Sequence, residues 1–281
     1  MDAVARIYAA SELGVLSITA PGEAHPRVEY VGGELFVGLN HVGDGSSVTQ
    51  GEAETSAQPF VEAVAAAVAS AGAIPTANEG VILIEDEALA ASVLTDPTRL
   101  AAVTLPGGPV LFALARQRVA VVGADDEAAV GRVLDLAEEL FEAEGPLVSA
   151  HPVALVDGQW ARLDWLTRYP SLEMRIQRVL RLFTVRAYEA QGAALQRPDV
   201  RYLDPKIQVL ETGVTTTFAA WPKGTASLLP VVDNVIIADP SGALSVATLG
   251  QFLDAAGDAV VRTGLSPARY FIPGEQPTPS E

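Results

Sequence analysis

The stretch that decides the fold reads LLPVVDNVIIADPSGALSVATLGQFLDAAG and runs from Leu228 to Gly257. Its apolar run at residues 235–238 predicts a buried strand over residues 232–238, because short apolar runs bounded by turn residues are typical of core strands. The turn sequence DPSG follows, and residues 246–256 keep the apolar spacing of an amphipathic helix. We expect Ser245 to cap the start of this helix and Gly257 to end it.

The same arrangement, two strands followed by an amphipathic helix, recurs along the chain. It is predicted at residues 27–70, 110–143 and 207–256, without any repeat at the level of single residues. Tight turns at residues 32–33 and 116–117 indicate antiparallel hairpins. Because the helices would pack on one face of such sheets, the expected fold class is α+β with mostly antiparallel sheet.

Two lobes are predicted, with a boundary in the proline- and glycine-rich segment LPGGP at residues 105–109. The N-terminal α+β lobe would comprise residues 1–104, and the C-terminal α+β lobe residues 105–272. The chain is expected to open with a short helix at residues 2–11. The tail at residues 273–281, PGEQPTPSE, has the composition of an unstructured segment.

Composition and charge limit the partners and the compartment that can be expected. The 281 residues carry a formal net charge of -17, which disfavours nucleic acid and anionic membranes as partners. The chain has no cysteine, which excludes disulfides, thiolate metal sites and cysteine nucleophiles. Neither a signal peptide nor a membrane-spanning segment is predicted, so we expect a cytoplasmic protein.

No constellation for catalysis or cofactor binding stands out. The sequence VAVVGADDEAAVGR at residues 119–132 has the outline of a dinucleotide-binding turn. It lacks the G-x-G-x-x-G spacing, and three acids stand where a phosphate would bind. We interpret these acids as a helix cap, formed by Asp125 or a neighbour. The three histidines form no metal-binding motif, so we expect neither a cofactor nor a bound metal.

Two alternatives involve small ligands. Asp233 and Asp239 stand at the two ends of the apolar run at residues 235–238, about 20 Å apart in an extended strand, which is too far to bind one metal ion together. Asp239 is expected to form a turn by accepting hydrogen bonds from backbone N–H groups. A hydrolase would instead need a divalent cation held by acids from separate elements, namely Asp204, Asp233, Asp239 and Asp258. A small-molecule sensor domain would need a ligand-sized apolar cavity.

The sharpest departure from the acidic composition is an Arg-rich segment at residues 162–201. It holds eight arginines and four acids, whereas the rest of the chain holds ten basic residues and 31 acids. A helix is predicted at residues 171–191, with an apolar stripe opposite most of its arginines. The residues expected to bind a partner are Arg175, Arg178, Arg181, Arg186 and Tyr188.

The arginines of this helix allow two interpretations. In the first, they bridge to the protein's own acids and form a solvated face. In the second, they bind an acidic protein partner or a second copy of this acidic chain, as in a homodimer. Because no catalytic motif accompanies them, we expect a non-enzymatic protein-interaction or regulatory module.

The C-terminal part also carries a family resemblance. Its segments PVVDNVIIAD, LGQFLDAAG and TGLSPARYFIPGE are similar to the C-terminal part of the uncharacterised bacterial YtpQ-like proteins. The matching positions are Pro230, Asp233, Ala238, Asp239, Phe252, Gly264 and Pro267. The layout of residues 110–143 is similar as well. The resemblance implies a cytosolic α+β protein and supplies no catalytic residue.

Overall fold

The computed structural model describes residues 3–195 and 198–274, and over these residues the predicted α+β class is confirmed. The helices are α1 (Ala10–Thr19), α2 (Gln50–Thr55), α3 (Phe60–Val68), α4 (Glu87–Thr95), α5 (Glu127–Glu142), α6 (Trp165–Arg168), α7 (Glu173–Ala194) and α8 (Leu249–Ala256). The strands are β1 (Ala3–Ala9), β2 (Val28–Gly32), β3 (Leu35–His41), β4 (Ile82–Ile84), β5 (Pro109–Ala115), β6 (Arg118–Gly123), β7 (Val153–Val156), β8 (Gln159–Arg162), β9 (Arg201–Tyr202), β10 (Lys206–Val209), β11 (Thr215–Pro222), β12 (Ser227–Pro230), β13 (Asn234–Ala238), β14 (Leu244–Thr248), β15 (Val261–Arg262) and β16 (Arg269–Ile272). None of the helices in this part of the chain is both long enough and apolar enough to cross a bilayer.

The chain divides into two compact units, and the division falls within α7, after Phe183. The predicted boundary at residues 104 and 105 lies instead inside the first unit. The physical reason is a shared core, since Leu39 of β3 and Leu111 of β5 belong to one buried apolar cluster. The LPGGP segment is therefore a turn within this unit. Of the predicted tail, residues 275–281 lie outside the described residues.

The first unit contains two antiparallel sheets, with the strand orders β1-β3-β2 and β4-β6-β5-β7-β8. The hairpins predicted at residues 32–33 and 116–117 are confirmed by the pairing of β2 with β3 and of β5 with β6. The helix predicted at residues 2–11 is wrong, because residues 3–9 form β1 and α1 follows. β1 pairs with β3 over its whole length, and such pairing overrides local helix preference.

The second unit contains two four-stranded mixed sheets, with the orders β10-β11-β13-β14 and β15-β16-β12-β9. Each includes one parallel pair, β11 with β13 and β9 with β12. The core combines the first of these sheets, α8, and Leu229 and Ile272 of the second sheet. There the ring centres of Trp221 and Phe252 are 5.4 Å apart, and Val235 of the central strand β13 is fully buried.

The stretch from Leu228 to Gly257 contains two more strands than its pattern predicts, because its first residues belong to β12 and β14 follows β13. After β13 and the turn, the chain forms β14, and α8 begins only at Leu249. The cap is Thr248 rather than the predicted Ser245. The hydroxyl of Thr248 accepts from the N–H of Gln251, and the Gln251 side chain accepts from the N–H of Thr248. Gly257 follows the end of the helix, as expected.

Candidate functional site

Two arginines of α7 form ion pairs with α5 in the first unit. Arg175 contacts Asp135, and Nε of Arg178 lies 3.0 Å from a carboxylate oxygen of Glu138. The two arginines are three residues apart and so are the two acids, which places each pair on one face of its helix. All four side chains are partly exposed, and this limits the stability that such pairs contribute.

The other two predicted arginines bond to neighbours within α7. Arg181 donates to the backbone and side-chain oxygens of Gln177, at 3.2 and 3.3 Å. Arg186 pairs with Glu189, three residues later, at 3.0 Å. All four arginines thus have partners in their own unit. Binding of another protein by these arginines stays a prediction.

Tyr188, the aromatic residue predicted to join this interface, lies inside the second unit and is 2% exposed. Its hydroxyl donates to the carbonyl of Ala268 at 2.5 Å and accepts from the N–H of Val231 at 3.0 Å. Burial raises the pKa of this hydroxyl. Val185, Tyr188 and Gln191 recur every three residues and form the buried side of α7 here. A partner could not reach the side chain in this position, so we interpret it as a core residue.

A fully buried guanidinium accompanies Tyr188. Arg269 of β16 places its guanidinium 5.0 Å from the centre of the Tyr188 ring. Its Nε donates to Oε1 of Gln191 at 2.6 Å, and Nη1 donates to the carbonyls of Leu203 and Leu228 at 2.9 and 3.1 Å. Nη2 donates to the Tyr188 carbonyl at 3.2 Å. Burial lowers the pKa of Arg269. Because each nitrogen bonds to the protein itself, this cation is a structural group that sequence reasoning missed.

Of the four aspartates considered for a hydrolase, Asp233 and Asp239 have structural partners. Asp233 accepts from the N–H and the hydroxyl of Thr217, at 2.7 and 2.8 Å. Asp239 forms the expected turn by accepting from the N–H of Ser241 at 3.0 Å, and this bond lowers the pKa of its carboxyl. Over residues 3–195 and 198–274, no three histidine, aspartate or glutamate side chains are grouped so as to hold a metal ion. The described part of the chain therefore offers the hydrolase no metal centre.

The acids that follow β6 cap α5, as expected. The carboxylate of Asp126 accepts from the N–H of Ala129 at 2.9 Å. Asp125 is paired with Arg168. Carboxylates thus occupy the start of the helix, which is where a dinucleotide phosphate would have to bind.

His151 is a histidine whose protonation the structure changes. Its Nε2 lies 3.8 Å from a carboxylate oxygen of Glu34, and its Nδ1 lies 3.0 Å from Nη2 of Arg162. Burial lowers the pKa of the imidazole, Glu34 opposes this shift, and Arg162 adds to it. The neutral ring is therefore favoured, with a ring nitrogen available to accept from the guanidinium.

One surface of the second unit is apolar, although the exposed face of such a sheet is normally polar. The pairing of β11, β13 and β14 sets their residues in rows across the sheet. On the side away from α8, two adjacent rows consist only of apolar residues. These residues, which we call the outer face, are Ala220, Ile236 and Val246 in one row and Pro222, Ala238 and Leu244 in the next. Leu244 and Val246 are 70% and 68% exposed.

The outer face ends at the free edge of β14, which pairs with β13 alone among the described strands. Backbone hydrogen bonds between Asp239 and Ala243 and between Asp233 and Leu249 continue this ladder at its two ends. The N–H and C=O groups of the odd-numbered residues of β14 therefore face β13. The N–H and C=O groups of Leu244 and Val246 consequently point away from the sheet. Sequence reasoning missed this edge by assigning it to a helix, although the alternation in LSVAT indicates a strand.

A second feature of interest is a cavity of about 770 Å³ in the first unit, lined by apolar residues together with polar and charged ones, among them Glu29, Asp96 and Arg99. Helices α3 and α4 and strands β2 and β8 line it, with Val64, Leu94 and Trp160 among the apolar side chains. Tyr30 and Val61 also line it and are 64% and 61% exposed. The volume lies within the range of small-molecule sites.

Comparison of the chain with protein-family models, with curated proteins and with solved structures finds no match. The resemblance to the YtpQ-like proteins is neither supported nor opposed by this result and stays a prediction. The function proposed for this chain therefore rests on the geometry of each of the two units.

Proposed function

We propose that this chain is a non-enzymatic protein-interaction module that binds its partner through the outer face. The observation that carries the proposal is the exposure of Leu244 and Val246 beside a strand edge with which no described strand pairs. Contiguous exposed apolar surface marks interaction sites, because its burial drives association. The outward backbone groups of β14 add directional hydrogen bonds that an incoming strand could satisfy.

β14 also lacks the features that protect free edges in monomeric proteins. Natural edge strands are usually blunted by charged side chains, prolines or bulges. The sequence LSVAT of β14 has no charge and no proline, and its register with β13 is regular. An edge of this kind is suited to strand addition.

The Arg-rich helix can supply a second contact if the partner is acidic, as the sequence predicts. Its ion pairs to Asp135 and Glu138 would first have to open. Partly exposed pairs contribute only about 0–1 kcal/mol each, so this requirement is a modest one. The outer face differs in this respect, because it needs no rearrangement before contact.

The proposal is tested by the size of the native complex in extracts of cells that make the chain. We expect the wild type to elute above its own mass of 29.3 kDa. The double variant Leu244→Glu/Val246→Glu should elute at that mass, because carboxylates oppose burial of the outer face. The matched control Val42→Glu/Val156→Glu places the same charges at exposed apolar positions of the first unit that lie outside the cavity, and it should elute like the wild type. Co-elution of the outer-face variant with the wild type would contradict the proposal.

The cavity of the first unit favours a second function, that of a small-molecule sensor. Its size and its mixed lining, apolar with a few polar and charged side chains, suit a small molecule of drug-like dimensions. Ala65 lines the cavity from α3, whereas its neighbour Ala66 does not, and both are exposed.

These two alanines supply a matched pair for a ligand test with the fluorescent probe anilinonaphthalene sulfonate. The tryptophan of Ala65→Trp would project into the cavity and reduce its volume, so we expect this variant to bind the probe more weakly. Ala66→Trp should bind the probe like the wild type. Equal binding by the two variants would place the probe elsewhere and remove the support for a sensor.

A further inference from the structure

We infer that a cleft in the second unit binds a free α-amino acid through the side chains of Tyr202, Asp204 and Lys206. This inference goes beyond the proposed function, since the cleft shares no residue with the outer face or with the cavity of the first unit. The volume of the cleft is about 750 Å³, which lies within the range of small-molecule sites.

The three polar side chains lie on one side of an extended segment. Leu203 and Pro205 are buried. Asp204 and Lys206, which alternate with them, are exposed. In an extended chain, residues two positions apart point to the same side. Because Tyr202, Asp204 and Lys206 all line the cleft, this shared side is the one that faces it.

The opposite wall belongs to α7 and leaves room because its residues there are small. Gly192 and Ala193 line the cleft from this helix. A Cβ atom on Gly192 would lie 3.5 Å from a carboxylate oxygen of Asp204 and 3.9 Å from Nη2 of Arg269. The carboxylate thus approaches the helix at a residue without a side chain, close to the buried guanidinium.

The two charges on the extended segment have no close counter-ion. Among the described residues, no ion pair or hydrogen bond engages the side chain of Asp204 or that of Lys206. Burial lowers the pKa of Arg269, and Asp204 opposes this shift through its charge, without a hydrogen bond. Glu189, another acid that lines the cleft, is paired with Arg186 at 3.0 Å. One carboxylate and one ammonium group therefore remain available to a ligand.

A zwitterion is the ligand class that neutralises both of these charges. Its ammonium group would pair with Asp204 and its carboxylate with Lys206, two residues whose Cα atoms are roughly 7 Å apart in an extended chain. A simple anion would leave Asp204 unpaired and would be repelled by a chain with a net charge of -17. A simple cation would leave Lys206 unpaired. An α-amino acid has both groups and no net charge, so neither cost arises.

The hydroxyl of Tyr202 supplies a third point of attachment. Its oxygen is buried and has no hydrogen-bond partner among the described residues. An unsatisfied buried hydroxyl is costly, and the carboxylate of a bound amino acid would accept a hydrogen bond from it.

Binding is tested by saturation-transfer difference NMR of the purified chain with the twenty common α-amino acids. At least one of them should receive signal, and its dissociation constant is then measured by titration. Its amide keeps only the positive charge, and its N-acetyl derivative keeps only the negative charge. Each should bind more than about tenfold more weakly, because it leaves one charge of the cleft unpaired. Absence of transfer to every amino acid, or derivatives that bind as tightly as the parent, would overturn the inference.

Variants of the two charged residues assign each end of the ligand. Asp204→Asn should weaken binding of the amino acid and bring it to the level of the N-acetyl derivative, because the ammonium group loses its partner. Lys206→Gln should bring it to the level of the amide. Tyr202→Phe should also weaken binding, yet the free protein should be no less stable, since an unsatisfied hydroxyl is removed. Charge variants that bind the amino acid like the wild type would overturn the assignment.

Two alanines of α7 give a matched pair that locates the site. Both Ala190 and Ala193 are exposed, but only Ala193 lines the cleft. Ala193→Trp would project into the cleft and should weaken binding of the amino acid, whereas Ala190→Trp should not. Equal binding by the two variants would place the amino acid elsewhere and overturn the inference.

Discussion

Ile236 of β13 and Val246 of β14 lie opposite each other on the side of the sheet that faces away from α8. The adjacent pair, Val235 and Ala247, points into the core, where Val235 is fully buried. This pair of strands thus has apolar side chains on both faces, whereas packing on one core requires only one such face. The second apolar face is the proposed contact surface.

Removing the buried cation, Arg269, should destabilise the second unit. Arg269→Met leaves the carbonyls of Leu203 and Leu228 and the side chain of Gln191 without their donor, and unsatisfied buried acceptors are costly. We expect a loss of about 3 kcal/mol in the free energy of unfolding, read from faster hydrogen–deuterium exchange in β12 and β16. Arg262→Met, at an exposed arginine of the neighbouring strand, is the control and should change little. Equal exchange in the two variants would mean that the buried hydrogen bonds contribute nothing.

The start of α8 gives a direct comparison between structure and sequence. Thr248→Ala should lower the stability of the second unit by about 1 kcal/mol, because it removes the capping hydroxyl. Ser245→Ala, at the position that the sequence predicts as the cap, should stay within about 0.5 kcal/mol of the wild type. Urea-induced unfolding, monitored by hydrogen–deuterium exchange in α8, measures both changes in stability. The reverse order of effects would place the helix start at Ser245.

His151 should make the first unit sensitive to pH. We expect NMR titration to give it a pKa below the ordinary value of 6.5. The unfolded chain then binds more protons than the folded protein, so stability is full above pH 6.5 and is lost as the pH falls through the folded-state pKa. His151→Gln should remove this loss. Glu34→Gln should lower the pKa further, since the carboxylate favours the charged ring. A measured pKa above 6.5 would contradict the burial that the structure gives this ring.

Variants that break the ion pairs between α5 and α7 distinguish a structural role of Arg175 and Arg178 from a role in binding a partner. Arg175→Gln/Arg178→Gln should cost at most about 1 kcal/mol of stability per pair and should leave the native complex intact. Asp135→Asn/Glu138→Gln breaks the same pairs but leaves the arginines available. If the Arg-rich helix is the contact surface, only the arginine variant will lose the complex, and that outcome would speak against the outer face.

Local chemistry was sufficient for the fold class and the turns. Gly33 has a φ of 59°, which suits glycine at the hairpin between β2 and β3, and the Asp239 turn needs only its own residues and their neighbours. Both were predicted. The start of α8 was not, because the stretch from Leu244 to Leu253 fits a strand alternation in its first half and a helical spacing in its second.

Features that depend on distant residues escaped the sequence. Tyr188 looks like a surface aromatic beside arginines, and only its contacts with Val231 and Ala268 place it in the core. Arg269 belongs to a segment without any unusual pattern, yet it bonds to residues from three other elements or loops. The outer face itself follows from the register of three strands, which no local pattern sets.

The most direct test of the central claim places a photo-reactive amino acid at position 246 in cells that make the chain. Illumination should yield a covalent adduct of one defined mass, because Val246 lies at the centre of the proposed contact. The same group at position 156, an exposed valine of the first unit outside the cavity, should yield none of that mass. Adducts that are absent at 246, or identical at 246 and 156, would contradict the assignment of the outer face as the binding surface.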